Sequence, residues 1–215
     1  MSFSTLIGDA TAFYAALAKN NQRDWWLANK ATYDEKIKAP ALTLLEELTP
    51  ALSEIADMPV TTKLFRPHRD VRFSKDKTPY KTHLHLMWKL KTQARQNPVF
   101  FFGIGLDYVS TGAGVMAFDK PVLEDWRKFA DMDTDRMMQI IGGVQDLGYN
   151  LRDPELKRIP PAFEKDHPAG ELLRRKGLVA SGELNQGVTD LPRAILSNFK
   201  DLWPINDLLI QIAEA

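Results

Sequence analysis

The hydrophobic residues change rhythm twice along this chain, and that change limits the folds open to it. Residues 82–91 alternate strictly, with Leu84, Leu86, Trp88 and Leu90 on one side of an extended strand and His83, His85, Met87, Lys89 and Lys91 on the other. A strand buried on one face, carrying its histidines on the wetter face, fits that pattern. Residues 60–65, 99–106 and 111–118 read as its neighbours, the last two as a hairpin. Gly112 and Gly114 would let a ligand or another backbone come close, and a packing reason for them is the commoner one.

On both sides of this β-like block the apolar residues recur at helical spacing. A first amphipathic helix through Phe13 and Leu17 should stop near Asn20 and Asn21, because paired asparagines favour caps and turns. Asp24 is placed to cap a second helix over residues 25–37, which Pro40 interrupts. A third, over 41–55, carries a stripe of Leu42, Leu45, Leu48 and Leu52 despite Pro50. Helices return at 122–132 and 134–147, although Gly142 and Gly143 weaken the second. A proline-rich connector at 152–169 reads as an ordered crossing. A short helix at 170–175, a strand at 178–184 and one or two helices over 191–214, broken at Pro204, complete the chain. Helices, then strands, then helices predict a single α+β domain over 1–215, with a mainly antiparallel central sheet flanked by the N-terminal, central and C-terminal helices.

With 44% apolar and 26% charged residues, the chain has ample material for a core, and disorder is not expected. It has no cysteine, which excludes disulfides, thiolate metal sites and cysteine nucleophiles. No basic segment followed by an apolar one opens the chain, and the longest apolar run, 99–106, is far below the ~20 residues that span a bilayer. The expectation is a soluble cytoplasmic protein.

Charge is balanced overall, with 28 basic and 28 acidic residues, so no global field draws the chain to nucleic acid or an anionic membrane. The balance fails locally. Residues 63–91 hold nine lysines and arginines against Asp70 and Asp76, a surplus of seven that the rest of the chain offsets. Arg66, Arg69 and Arg72 offer guanidinium forks, Lys75, Lys77 and Lys81 offer ammonium groups, and Ser74, Thr78 and loop N–H groups would complete a cradle for phosphate or carboxylate. The structural alternative has Asp70 pairing with one of the three arginines and Asp76 with Lys77 or Lys81, bracing a long loop over the sheet.

Other constellations in this region are weaker. Phe73 and Tyr80 among cations would suit base stacking, but the neutral chain argues against nucleic acid. Ser74 and Lys77 have serine–lysine catalytic spacing, yet Pro79 disfavours the helix that chemistry needs. His83 and His85, with His68 or Asp70, have the types for a metal site, but the surrounding cations would repel a divalent ion, and no metal is assigned. His167, before a proline, reads as a turn residue. Trp25, Trp26, Tyr33 and Trp88 read as core aromatics before they read as a pocket.

The spacing Arg66-x-x-Arg69-Asp70-x-Arg72-Phe73-x-x-Asp76-Lys77-x-x-Tyr80 resembles the signature of the bacterial family catalogued as domain of unknown function 2461. Asn20-Asn21-x-Arg23-x-Trp25, and His167-Pro168 followed by Leu172, Leu173 and Lys176, extend the resemblance over nearly the whole chain, with Trp26 standing where members more often carry Phe. The resemblance implies a family identity and an α+β domain; it brings no reaction, cofactor or catalytic residue. The residues themselves lead to an expected small anionic, phosphorylated ligand bound by Arg66, Arg69, Asp70, Arg72, Ser74, Lys75, Asp76, Lys77, Tyr80 and Lys81. The runner-up is a noncatalytic module docking an acidic protein surface or nucleic acid. If catalysis occurs, Asp70, Asp76, Tyr80 and His85 are the proton-transfer candidates.

Overall fold

The alternating segment is a strand. In the computed structural model, which describes residues 3–215, it forms β2 (Leu84–Leu90), with Leu84, Leu86, Trp88 and Leu90 buried and Lys89 exposed. It lies second in a six-stranded sheet, flanked by β1 (Val60–Leu64) and β3 (Val99–Ile104), with β4 (Val109–Val115) beyond β3. β6 (Leu178–Glu183) then pairs with β4, and β5 (Asn150–Leu151) closes the far edge, every pairing being antiparallel.

The register sets the two faces. Trp88 stands opposite Phe100, and Leu86 opposite Phe102. This face packs on α3 (Ala39–Ala56) and α7 (Leu191–Glu214): the Trp88 indole N–H donates to the Leu45 carbonyl at 3.2 Å, and Phe199 meets the rings of both Trp88 and Phe100. α4 (Lys120–Met132) and α5 (Thr134–Asp146) pack behind α7. The opposite face carries His85, Met87 and Phe101 half-buried. Gly114, at φ 130°, sits where an added Cβ would strike the Leu178 carbonyl, so β4 and β6 approach as only a glycine permits.

Prolines do less damage than their positions suggest. α1 (Leu6–Lys19) ends at Asn20 as expected, but α2 (Arg23–Tyr33) continues without a break through a π-helical turn, Asp34–Lys38, into α3. Pro40 does not interrupt. The Ala39 N–H bonds to the Asp34 carbonyl five residues back, and the widened turn absorbs the donor that Pro40 lacks. Pro204 likewise leaves α7 whole, because its own ring is exposed while Leu202, Ile205, Leu208 and Leu209 are buried around it. Each such side chain contributes about 1.5–3 kcal/mol, enough together to outweigh the ~3 kcal/mol an interior proline costs. Leu42 is 41% exposed; the buried stripe of α3 runs instead through Ala41, Leu44, Leu45, Leu48 and Leu52.

The connector is an ordered crossing. His167 joins Asp131 of α4 at 2.9 Å, and buried Arg175 reaches both Glu171 and the Arg152 carbonyl. One continuous apolar cluster runs from Phe3 to Ala213. Among the described residues, no helix is long and apolar enough to cross a membrane.

Because Trp88 fills the centre of the core, Trp88→Ala should lower the unfolding free energy by about 3–5 kcal/mol in urea titration, with an unchanged far-ultraviolet spectrum at zero denaturant.

Candidate functional site

The basic loop is the connection between β1 and β2, and its lower part continues their pairing. The Phe65 N–H donates to the His85 carbonyl at 3.0 Å, Lys81 N–H to Pro67 at 2.7 Å, and Arg69 N–H to Pro79 at 2.8 Å. Tyr80 anchors this ribbon to the helices. Its ring stacks on Trp26 at 4.6 Å and 16°, and Asn21 grips its backbone twice, donating to the Tyr80 carbonyl at 2.8 Å and accepting from the Tyr80 N–H at 3.1 Å. His68 closes against the same ring, edge-on at 5.0 Å.

Above that anchor the signature residues are largely occupied with one another. Arg69 pairs with Asp76 and also donates to the Thr78 hydroxyl, the Thr78 carbonyl (3.2 Å) and the Ser74 hydroxyl (3.4 Å). Asp76 accepts the Thr78 N–H at 2.9 Å, and this bond, with Arg69 and the Thr78 hydroxyl, holds its pKa down to about 2. Arg72 forks onto Asp70 through bonds of 3.0 and 2.7 Å, which lower the Asp70 pKa. Lys77 donates to the Val71 carbonyl at 3.0 Å, the same carbonyl that accepts the Ser74 N–H at 3.3 Å. The pairing expected of Asp70 is present. Asp76 takes Arg69 rather than a lysine.

Among the described residues, Lys63, Arg66, Lys75 and Lys81 make no ion pair. Lys75 lies out at the exposed tip, but the other three gather at the loop's base. The Lys63 and Lys81 ammonium groups stand 4.7 and 5.6 Å from the centre of the Phe65 ring, which meets His85 edge-on at 6.3 Å. Burial lowers the Lys81 pKa first, and repulsion from Arg66 and Lys63 lowers it further. His83 stacks on His85 at 4.1 Å, and the His85 Nε2 shares a 2.8 Å hydrogen bond with the Tyr108 hydroxyl. Gly105 makes that bond possible, since a Cβ there would overlap the Tyr108 ring.

His85 is therefore neutral at pH 7. Burial, then His83 and Lys81, push its pKa down to about 4, while burial and Asp107 raise that of Tyr108. The result is a cationic cluster beside an uncharged hydrogen-bonding wall, in which Lys63 and Lys81 make no ion pair among the described residues and Arg66 acts at a distance on Asp70, an arrangement suited to an anion. Sequence reading placed Arg66 and Lys81 in the site but did not select Lys63, Phe65 or Tyr108. The β1–β2 register, which sets Lys63 opposite Met87 and hence on the His85 face, was the missing signal.

Two of the recesses adjoin segments described above. A groove of about 310 Å³ runs from α2 and the π-turn to the start of the loop, and Phe65 and Arg66 line it. A wider, open cleft of about 880 Å³ lies along the proline-rich connector, with Phe163 and His167 in its wall. His167 is engaged there by Asp131 and by the Ala169 N–H, as a bracing residue.

The family model described as a conserved hypothetical protein, domain of unknown function 2461, matches residues 9–207, and the chain belongs to that family. No curated protein matches the chain.

Two outcomes follow from this geometry. His85 has an ordinary pKa of 6.5 when unfolded and about 4 when folded, so below pH 6.5 protons bind preferentially to the unfolded chain. Stability should fall between pH 6.5 and 4 by about 1–2 kcal/mol after screening, and His85→Gln should flatten that part of a pH–denaturation profile. Arg69→Ala should release the loop tip, read as faster tryptic cleavage after Arg72, Lys75 and Lys77 while the core keeps its melting temperature within a few degrees.

Proposed function

We propose that the protein binds a small anionic, phosphorylated ligand at the base of the basic loop, with Lys63, Arg66 and Lys81 as the cationic contacts and His85 and Tyr108 as neutral hydrogen-bonding groups. One observation carries this reading. Asp70 and Asp76 engage Arg72 and Arg69 at the tip, whereas Lys63, Arg66 and Lys81 at the base make no ion pair among the described residues, and Arg66 and Lys63 both repel Lys81. Lys63 and Arg66 are exposed and Lys81 is partly buried, so the repulsion falls on Lys81, and an anion bound among the three relieves it. Ser74, Asp70, Arg69, Arg72, Asp76, Lys77 and Tyr80 then serve the site by holding the loop in shape. The two lysines provide mobile charges and Arg66 a planar fork, a combination that suits a phosphate group.

A second reading rests on Phe73. Its side chain is 96% exposed at the tip, between Arg72 and Lys75. A large apolar ring set in water on a braced, cationic loop suits docking into an acidic partner surface with an apolar socket. Such a contact would weaken steeply with ionic strength and would be lost in Phe73→Ala.

Calorimetric titration with inorganic phosphate tests the first reading. A charge-assisted contact contributes about 1.5–3 kcal/mol, so Lys63→Ala and Lys81→Ala should each weaken binding about tenfold or more, and Arg72→Ala should change it by less than about threefold. Equal affinities in the unmodified protein and in the Lys63→Ala/Lys81→Ala double variant would refute it.

A further inference from the structure

The groove beside the cluster has a different character from the cluster itself. Trp26, Tyr33, Phe65 and Pro67 give it aromatic and apolar walls, and Lys30, Lys38 and Arg66 stand on its rim. Asp34 is the carboxylate in that rim, and it is shared: Lys30 bonds to it and Lys38 lies 3.9 Å away. The rim is therefore net cationic around an apolar interior. Its volume, about 310 Å³, lies at the lower end of the range for small-molecule sites, enough for one ring system.

The groove is also built by an unusual piece of backbone. Asp34 and Lys38, which begin and end the π-helical turn, both line it. A π-turn widens a helix and is less stable than the α-helical alternative, and such turns recur where a helix borders a functional site. Groove and cluster are joined. Phe65 forms part of the groove wall and lies beneath the Lys63 and Lys81 ammonium groups, while Arg66 lines the groove and presses electrostatically on Lys81.

We propose that one ligand occupies both, its phosphate among Lys63, Arg66 and Lys81 and its flat ring in the groove, so that the ligand class is an aromatic monophosphate. This inference rests on the anion-binding reading above and extends it. The shared chemistry is a planar ring carrying one phosphate, and the ring is either a nucleobase linked through a sugar or an aryl group bonded directly to the phosphate oxygen.

Calorimetry with inorganic phosphate, ribose 5-phosphate, 1-naphthyl phosphate, adenosine 5′-monophosphate and adenosine separates the possibilities. The expected result is that at least one ring-bearing phosphate binds ten times or more tighter than phosphate and ribose 5-phosphate. Preference for the adenosine or the naphthyl compound identifies the source of the ring. Leu64→Trp, which places a bulky ring in the groove, should remove that preference and leave the affinity for inorganic phosphate unchanged. Saturation-transfer spectra of the unmodified protein with 1-naphthyl phosphate provide a readout that needs no variant, with saturation reaching the ring protons. Equal affinity for all four phosphates would overturn the groove inference and leave the anion site standing. Adenosine binding as tightly as its monophosphate would overturn the phosphate reading, and no binding by any of the five would overturn both.

Discussion

The stack of Tyr80 on Trp26, locked by two hydrogen bonds between Asn21 and the Tyr80 backbone, is the joint on which the rest of this surface depends. It ties a nineteen-residue connection, 65–83, to the helical layer at one point. Below the joint the chain still pairs as a ribbon, and above it the chain is braced by its own charges. Tyr80 is 5% exposed and Trp26 3%, so the contact is core packing reaching out into the loop. Fixing the ribbon there also fixes Phe65 and Arg66, and through them the cationic cluster and one wall of the groove.

The surplus of positive charge divides into two parts with different uses. At the tip, each aspartate takes an arginine within the same short segment, and these exposed pairs contribute shape more than stability. At the base the cations make no ion pair among the described residues, and His83 and His85 are pushed toward neutrality by burial and by Lys81. Counting cations along the chain marks the region but does not separate these uses. What separates them is which side chains share a face, and that is a property of strand register.

Much of the architecture was legible because two periodicities carry it. The alternation at 82–91 reflects a sheet with one face covered by α3 and α7, and the antiparallel α+β arrangement follows from it. Asn20 and Asn21 were legible as a helix end, although the reach of Asn21 to Tyr80, 59 residues away, was not. The prolines misled where burial on the same helix outweighed a local rule: Pro40 is accommodated by a π-turn and Pro204 by the packing around it. The loop tip was half-legible, since Asp70 found its arginine as expected while Asp76 reached back seven residues to Arg69. Tyr108 was beyond reach, because its bond to His85 joins residues 23 apart across β3 and needs a glycine that makes room for it.

The strand order has a consequence for how the chain folds. β1 to β4 pair in the order in which they occur, so each pairing closes a loop soon after its second strand exists. β6 is different: it must lie between β4 and β5, and Ser110 pairs with Glu183 only after α4, α5 and the connector have been traversed. Loop-closure entropy therefore favours an early meander, with β6 and α7 docking in a later step. Until α7 arrives, Phe100 and the side of Trp88 that Phe199 later covers remain open, which makes the interval before that docking the stage at which two unfinished chains are most prone to associate.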